Sequence, residues 1–341
     1  MKGRHAHILG HEGFRRYFSN TSWLMAERVL RMVVALFVGV YVARYLGPEN
    51  FGLLSYALSF AGLFLTIATL GLDGILVRDI VREPASSNVL LGTAFGLKII
   101  GTLLMWAGIA LALPLTQYDA QANILIAVIA FSYLFQIFNV VDFKFQAEVK
   151  SKFVVHAQLI QLFVSSVVKL LLIFGQADLI WFAMVYVLDG LVLAAVLLVM
   201  YRKNIGRIIE WNWDTGFARR LLKDSWPMIL AGLVISVYMR IDQVMIKQMM
   251  TASDVGLYSA AVRLSEAWYF IPTVIVTSLF PAIINARSTD KKLYESRIQK
   301  LFDLLTWMAI AVAVPLTFLS EWIVSLLYGQ AYIEAATVLS L

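Results

Sequence analysis

The chain has 341 residues, of which 60% are hydrophobic and 15% charged, and its formal net charge is +6. A soluble globular domain carries roughly 45–50% apolar and about 25% charged residues, so this composition excludes that class and indicates a membrane protein. The absence of cysteine excludes disulfides and thiolate chemistry.

The first 22 residues contain four basic side chains and no apolar core. The apolar run that follows is too long for a signal-peptide core and has no small-residue cleavage site. We therefore interpret residues 1–22 as a cytoplasmic tail. His5, His7 and His11 lie in this tail, and we predict a solvated segment there with no metal site.

Nine apolar runs reach the length of roughly 20 residues that a membrane-spanning helix needs. A tenth run begins near Glu334 and the sequence stops within it, so we interpret the chain as truncated. The nine runs are 23–45, 51–72, 89–113, 121–141, 153–175, 178–201, 225–247, 256–282 and 299–319.

Basic residues alternate between the connections of these runs. The tail and every second loop hold 20 of the 28 Lys and Arg residues, whereas the intervening loops hold only Arg44 and Lys247. This asymmetry predicts a multi-pass protein with a cytoplasmic N-terminus. It also accounts for the basic net charge without a nucleic-acid partner.

An internal repeat relates the segments after the first and seventh runs. LGPENFGLLSYA (46–57) aligns without gaps to MTASDVGLYSAA (250–261), with four identical positions that include Gly52/Gly256 and Ser55/Ser259. The alternative is that small-residue loops between apolar helices look alike by chance.

The repeat spans an even number of helices, so its two halves enter the membrane in the same sense, as parallel repeats around an axis along the membrane normal. We predict an all-α bundle of two six-helix lobes, with the second lobe incomplete and about 9–10 helices present. The predicted parts are the first lobe at 23–201, a cytoplasmic linker at 202–224 and the second lobe at 225–341.

Signatures of catalysis are absent from the sequence, which contains no H-E-x-x-H, G-x-S-x-G or P-loop motif. The outer loops are too short for a folded catalytic domain. We therefore predict no catalytic residue, no metal site and no cofactor, and we expect the chain not to be an enzyme.

Ten charged residues lie inside the apolar runs. A charge at the centre of a membrane helix costs about 2.5–3.5 kcal/mol even on insertion scales, so most of them should face protein or water. The ten are Glu27, Arg28, Arg31, Lys98, Lys169, Asp189, Arg240, Asp242, Arg263 and Glu266.

Several of these charges have structural explanations that stay open. Arg28 and Lys169 lie near helix ends and can reach the interface with their long side chains. Glu27 and Arg31 are four residues apart and can pair on one helix face, and Arg263 and Glu266 can do the same at three. Lys98 and mid-helix Asp189, by contrast, are candidates for a functional role; Lys98 has no partner in its own helix.

Arg240 and Asp242 lie two residues apart, so their side chains point to different sides of one helix. One side facing a water-filled cavity and the other facing a neighbouring helix accommodates both. Six cations against four anions favour an anionic solute, such as one that carries phosphate. Pro272 in the eighth run predicts a kink.

The sequence resembles the polysaccharide (O-antigen-type, Wzx-type) flippases of the multidrug/oligosaccharidyl-lipid/polysaccharide exporter superfamily. Five segments in this order carry the resemblance: ARYLGPENFGLLSYALSF, GLDGILVRDI, VDFKFQAEVK, RIDQVMIKQMMTASDVGLYSAAVRLSEAW and LLYGQAY. Gly47, Gly52 and Asp73 match the first-lobe signature of that family. Asp242 and the segment 256–259 match the second-lobe signature.

The resemblance implies a MATE-like bundle in the bacterial or archaeal cytoplasmic (inner) membrane. Its expected substrate is an undecaprenyl-pyrophosphate-linked oligosaccharide, flipped to the outer leaflet by alternating access coupled to H⁺ or Na⁺. Membrane lipids, a polysaccharide polymerase and a chain-length regulator are expected partners. From their depth we predict substrate contacts by Arg31, Lys98, Lys169, Arg240 and Arg263, and ion coupling by Glu27, Asp189, Asp242 and Glu266.

Other functions remain open at this point. A multidrug cation/H⁺ or Na⁺ antiporter of the same superfamily favours acidic residues in the membrane, and a dye-efflux assay separates it from a flippase. A peptidoglycan-precursor flippase is a closer rival that charge alone does not exclude. A membrane glycosyltransferase or polymerase would need a sizeable extramembrane loop with acidic or histidine clusters, and the sequence has none.

Overall fold

The structure is a computed structural model that describes residues 12–116 and 119–341. The predicted histidine-bearing tail therefore lies largely outside the described residues. The described ranges are all-helical and contain no β-strand. The α-helices are α1 (Glu12–Leu63), α2 (Leu65–Thr69), α3 (Asp73–Arg82), α4 (Ser87–Ala112), α5 (Ala120–Ser132), α6 (Val140–Ala147), α7 (Lys152–Phe174), α8 (Leu179–Asn204), α9 (Thr215–Met249), α10 (Ala252–Glu266), α11 (Phe270–Thr289), α12 (Lys291–Phe318), α13 (Ser320–Tyr328) and α14 (Ala335–Ser340).

Seven helical segments in the described ranges are long and apolar enough to cross a membrane. Large apolar side chains cover their outer surfaces, among them Leu111, Phe163 and Phe174, which are 70–81% exposed. Exposing this much apolar surface to water is energetically unfavourable, whereas contact with lipid is favourable. The chain is a multi-pass membrane protein.

The first two predicted spans form one long helix with a sharp kink. Within α1, Gly47 has φ 70° and ψ 170°, and Pro48 follows it. Glycine adopts this positive φ without a Cβ clash, and proline starts the next helical turn without needing a hydrogen bond for a backbone N–H. The second part of α1 ends at Leu63, so the predicted run to residue 72 is too long for one helix. The short helix α2 follows, and the chain then turns at Leu70 and Gly71, which both have positive φ.

The eighth predicted span is wrong as a single helix. The structure divides residues 256–282 between α10, which ends at Glu266, and α11, which begins at Phe270. Pro272 is the third residue of α11, where a backbone N–H has no partner within the helix in any case. The predicted kink is therefore a break just before the proline.

The predicted inter-lobe linker lies against the first lobe. Trp211 Nε1 donates to the Tyr201 hydroxyl at 2.9 Å, and the backbone N–H of Asp214 donates to Thr93 Oγ1 at 3.1 Å. Asp214 also caps α9 by accepting from the N–H of Phe217 at 2.8 Å. Because this cap starts a helix, α9 begins ten residues before the predicted span at 225.

Ion pairs hold the start of α9 to α3. Arg78 Nη2 donates to Asp224 Oδ2 at 2.5 Å, and Arg220 Nη1 donates to Glu83 Oε1 at 2.9 Å. The apolar side chains of Leu221 and Leu76 are buried in the same core cluster. The first turns of α9 thus pack as part of the first lobe, and farther along α9 contacts α1 and α2 as well as α10.

Candidate functional site

The repeated segments cross each other in direct contact. A Cβ atom added to Gly52 would overlap the carbonyl oxygen of Ala252 and lie 2.8 Å from the backbone N of Gly256. A Cβ added to Gly256 would overlap the carbonyl oxygen of Pro48. The two backbones approach this closely because neither glycine has a side chain. The structure thus brings together the two segments that the sequence aligns.

Further bonds hold the lobes together at this end of the bundle, which the predicted topology places on the outer side. The Tyr332 hydroxyl donates to the carbonyl oxygen of Ala43 at 2.8 Å, and Arg44 Nη2 donates to the carbonyl oxygen of Leu326 at 2.6 Å. Thr251 and Asp254 form a capping box at the start of α10. The hydrogen bonds from Thr251 lower the pKa of the Asp254 carboxyl.

Beyond the glycine crossing, the helices separate around an inter-lobe cavity of about 370 Å³. Its walls come from α1, α9 and α10. Residues at equivalent positions of the repeat line it: Ser55 and Ser259, Leu58 and Val262, and Ser59 and Arg263. Both copies of the repeat therefore contribute to the cavity.

Two arginines are the cationic groups of this cavity. Arg240 extends from α9 over Gly62, where an added Cβ would lie 2.7 Å from its Nε. The Arg263 guanidinium lies 4.6 Å from the centre of the Phe51 ring. Neither arginine has a salt-bridge partner within 4.0 Å among the described residues. Each is half-buried and lines the cavity, and the carboxylate of Glu266 in the same wall acts on Arg240 without forming an ion pair.

The rest of the polar lining is neutral apart from one acid. Ser59 Oγ donates to Gln243 Oε1 at 2.6 Å. The hydroxyls of Ser55 and Ser259 are buried and have no hydrogen-bond partner among the described residues. Glu266 also lines the cavity but forms no salt bridge with Arg263, so the local pair that the sequence allows does not form here.

Asp242 lies beside the cavity and not in its wall. Its carboxylate accepts hydrogen bonds from the Tyr258 hydroxyl and from the backbone N–H of Gln243. The Tyr258 bond connects α9 to α10. The prediction that Arg240 and Asp242 serve two different surfaces of one helix agrees with this arrangement.

An apolar groove of about 230 Å³ adjoins the cavity at Arg263. One wall consists of Met32, Ala35 and Leu36 of α1, and the other includes Tyr328 of α13. Arg263 lines both the groove and the inter-lobe cavity. A polar space and an apolar space thus meet at one guanidinium.

The five remaining predicted site residues do not line the inter-lobe cavity, and each forms an ion pair: they are Glu27, Arg31, Lys98, Lys169 and Asp189. Arg31 Nε donates to Glu27 Oε1 at 2.6 Å. Lys98 Nζ lies 3.5 Å from Asp73 Oδ1, and Lys169 Nζ lies 3.9 Å from Asp189 Oδ2. Their predicted roles in substrate or ion binding stay predictions. Of the nine predicted site residues, the structure brings Arg240, Arg263 and Glu266 together.

Sequence reasoning missed the serines of the cavity. Ser55 and Ser259 are identical positions of the repeat, so the repeat is the signal that could have identified them as site residues. Gln243 carried no such signal, because a single amide in an apolar helix is common and its contact with Ser59 depends on the tertiary fold.

The sequence profile of the family described as "Polysaccharide biosynthesis protein" matches residues 18–286. The chain belongs to the polysaccharide biosynthesis protein family. The matched region includes both repeated segments and both cavity arginines, so the resemblance carried by the sequence motifs is confirmed. No curated protein sequence matches the chain.

The fold of this polysaccharide biosynthesis protein is similar to that of a solved membrane transporter. The match is a structure described as the inward-facing conformation of a multidrug resistance MATE family transporter of the MOP superfamily. The TM-score is 0.71 at 16% sequence identity, and the match covers 91% of this chain and 75% of the other. The predicted MATE-like fold is therefore confirmed.

Proposed function

We propose that the chain flips undecaprenyl-pyrophosphate-linked oligosaccharides, such as O-antigen, capsule or exopolysaccharide repeat units, from the inner to the outer leaflet. The observation that carries the proposal is the inter-lobe cavity. Arg240 and Arg263, which form no ion pair among the described residues, line it from different helices, and the glycine crossing lies next to it along α1 and α10.

Pyrophosphate is the group that best matches these two arginines. A guanidinium binds phosphate oxygens through two parallel hydrogen bonds, and it is more weakly hydrated than an ammonium group. Charged groups partly removed from water are costly unless an opposite charge compensates them. An anion that bridges Arg240 and Arg263 supplies that compensation, whereas a cationic drug would be repelled.

The groove beside Arg263 gives the lipid tail a place to lie. A polyprenyl chain is apolar and needs an apolar surface or lipid throughout the movement of its headgroup. The groove between α1 and α13 is apolar and ends at a guanidinium of the cavity. The pyrophosphate therefore binds at Arg263 while the tail extends along the groove toward lipid.

Alternating access follows from the contact between the repeated segments. The repeated segments touch at Gly52 and Gly256, and farther along their helices α1 and α10 line the cavity together with α9. Rocking of one lobe about this contact opens the cavity to the opposite leaflet, as in transporters built from repeats. Glu266 in the wall and Asp242 beside it are the acids placed to bind the coupling H⁺ or Na⁺.

The test replaces the two arginines together. In a strain that lacks the gene for this chain, we expect Arg240→Gln with Arg263→Gln to abolish surface glycan and to leave lipid-linked oligosaccharide in the inner leaflet. Arg202→Gln is the matched control, because Arg202 is exposed at the end of α8 and does not line the cavity.

Equal membrane levels of the variants, measured by immunoblotting, exclude loss of folding as the cause. Normal surface glycan in the double variant would refute a role of the two arginines in transport.

A further inference from the structure

The first lobe contains a second cavity of about 350 Å³. It lies where the fourth predicted span stops being α-helical. Between α5 and α6, residues Tyr133–Asn139 form a 3₁₀ helix of seven residues, which is long for that conformation. Interrupted membrane helices recur at binding sites, because the changed twist turns side chains and backbone groups into a cavity.

Carboxamide side chains dominate the polar lining of this cavity. Gln136 and Asn139 come from the 3₁₀ segment, and Gln158 and Gln161 come from α7. All four are half-buried. Within the described ranges, no hydrogen bond occupies any of these four amide groups. An amide carries both donors and acceptors, so four of them in one wall form an unused hydrogen-bonding surface of both kinds.

Two aromatic rings complete the lining. Tyr133 follows directly after α5, and Tyr186 belongs to α8. Each presents an apolar ring face together with a hydroxyl that donates and accepts hydrogen bonds. The volume falls within the roughly 300–1,000 Å³ typical of small-molecule sites.

Most of the charges in this cavity are paired. Of the three charged side chains that line it, Arg31 pairs with Glu27 and Asp189 with Lys169. Asp142 interacts electrostatically with Lys98, whose ion-pair partner is Asp73.

From this lining we infer that the first-lobe cavity binds neutral sugar residues of the substrate. A sugar offers hydroxyls that both donate and accept, and it has apolar faces that pack on aromatic rings. Amides and tyrosines around a space whose charges are mostly paired match those features. The inference rests on the proposed function, since it assigns the glycan part of the proposed substrate to a site separate from the pyrophosphate.

Tyr133, which lines the first-lobe cavity, lies within electrostatic range of Arg240 in the inter-lobe cavity. In a lipid-linked oligosaccharide the first sugar is bonded directly to the pyrophosphate. A headgroup held by Arg240 therefore places its first sugars toward the amides.

A coupling cation is the competing occupant, because the lining also contains carboxylate and amide oxygens. A metal ion is held by closely spaced oxygens, at roughly 2.0–2.6 Å for the divalent ions. In the described part of the chain, no group of three or more His, Asp or Glu side chains is arranged for a metal ion. The carboxylate of Asp189 already pairs with Lys169, which weakens its attraction for a further cation.

The experiment compares two probes on the purified full chain in lipid nanodiscs. One probe is undecaprenyl pyrophosphate, and the other is the same lipid bearing a single hexose or N-acetylhexosamine. The cavity variant carries Gln136→Leu and Gln161→Leu. Gln121→Leu is the control, because Gln121 is exposed at the other end of α5.

We expect the wild-type chain to bind at least one sugar-bearing probe about tenfold more tightly than the bare lipid. The cavity variant should lose that gain, bind the bare lipid within twofold of wild type, and keep its unfolding temperature. The control should behave as wild type.

Three results would overturn the inference. Equal weakening of both probes would mean that the amides act on the headgroup or on the fold. An unchanged sugar gain would mean that the glycan lies elsewhere, and an altered Na⁺ or pH dependence with the bare lipid would identify a cation site. If the wild-type chain binds no probe at all, the proposed function itself fails.

Discussion

Among the intramembrane charges, pairing separates the cavity arginines from the rest. Lys98 is 3% exposed and lies 3.5 Å from Asp73, with its ammonium 4.8 Å from the centre of the Phe143 ring. Arg240 and Arg263 have no such carboxylate partner among the described residues. A paired, buried cation has its field largely cancelled, whereas an unpaired one acts on whatever enters the cavity.

Replacing Lys98 tests this distinction. We expect Lys98→Met to retain transport and to leave stability unchanged or raised, by at most about 1–4 kcal/mol, because a buried ion pair contributes little net stability and Asp73 is mostly exposed. Thermal unfolding in detergent and complementation of the deletion strain measure the two effects. Loss of transport at normal protein levels would instead support the substrate contact predicted for Lys98 from the sequence.

Between elements, the closest contact is the crossing of α1 and α10. Both glycines there belong to the repeat, and each faces a backbone carbonyl of the other segment. Each glycine faces backbone atoms and not a flexible side chain that could change its conformation. Even an added methyl group would therefore force the helices apart. The crossing is thus a defined point about which the lobes can tilt.

We expect Gly52→Ala to lower stability by about 1–3 kcal/mol and to impair transport, because its Cβ collides with the Ala252 carbonyl. Gly74→Ala is the control: nothing lies within 4 Å of an added Cβ there. Alanine in that helix should be neutral or stabilising by roughly 0.5–1 kcal/mol. Thermal unfolding of the purified variants measures both effects. If Gly52→Ala unfolds at the wild-type temperature, the tight crossing does not exist.

Some interruptions of the helices coincide with local sequence signals, and others do not. Gly47 and Pro48 lie at the kink of α1, and Pro272 lies within a few residues of the break before α11. The 3₁₀ segment of residues 133–139 contains neither glycine nor proline. Its sequence is typical of a continuous apolar helix, so its conformation depends on packing against α8 and could not be predicted.

For the whole molecule, the sequence was sufficient to predict the membrane class, the helical bundle and the internal repeat, but not that the repeated segments touch. Gly52 and Gly256 align in sequence and touch in space because a parallel repeat places equivalent segments around one axis. Which charges pair could not be predicted in the same way. Lys98 with Asp73 and Lys169 with Asp189 join different helices, and their pairing depends on rotations that the sequence pattern does not specify.

In our proposals the two cavities bind different parts of the same substrate. The inter-lobe cavity, with its unpaired arginines, suits the common part of every lipid-linked glycan, its pyrophosphate. The amide-lined cavity of the first lobe suits the variable part, its sugars. Family members with different glycans are then expected to differ more in the amide lining than at the positions of Arg240 and Arg263.

Binding of undecaprenyl pyrophosphate to the purified chain tests the central claim most directly. A hydrogen bond to a charged group contributes about 1.5–3 kcal/mol. A change of 1.4 kcal/mol is roughly tenfold in affinity, so loss of both arginines predicts at least about 100-fold weaker binding. Arg240→Gln with Arg263→Gln should show this loss, and Lys98→Met should bind as wild type does. Equal affinity of the double variant and the wild-type chain would contradict the account.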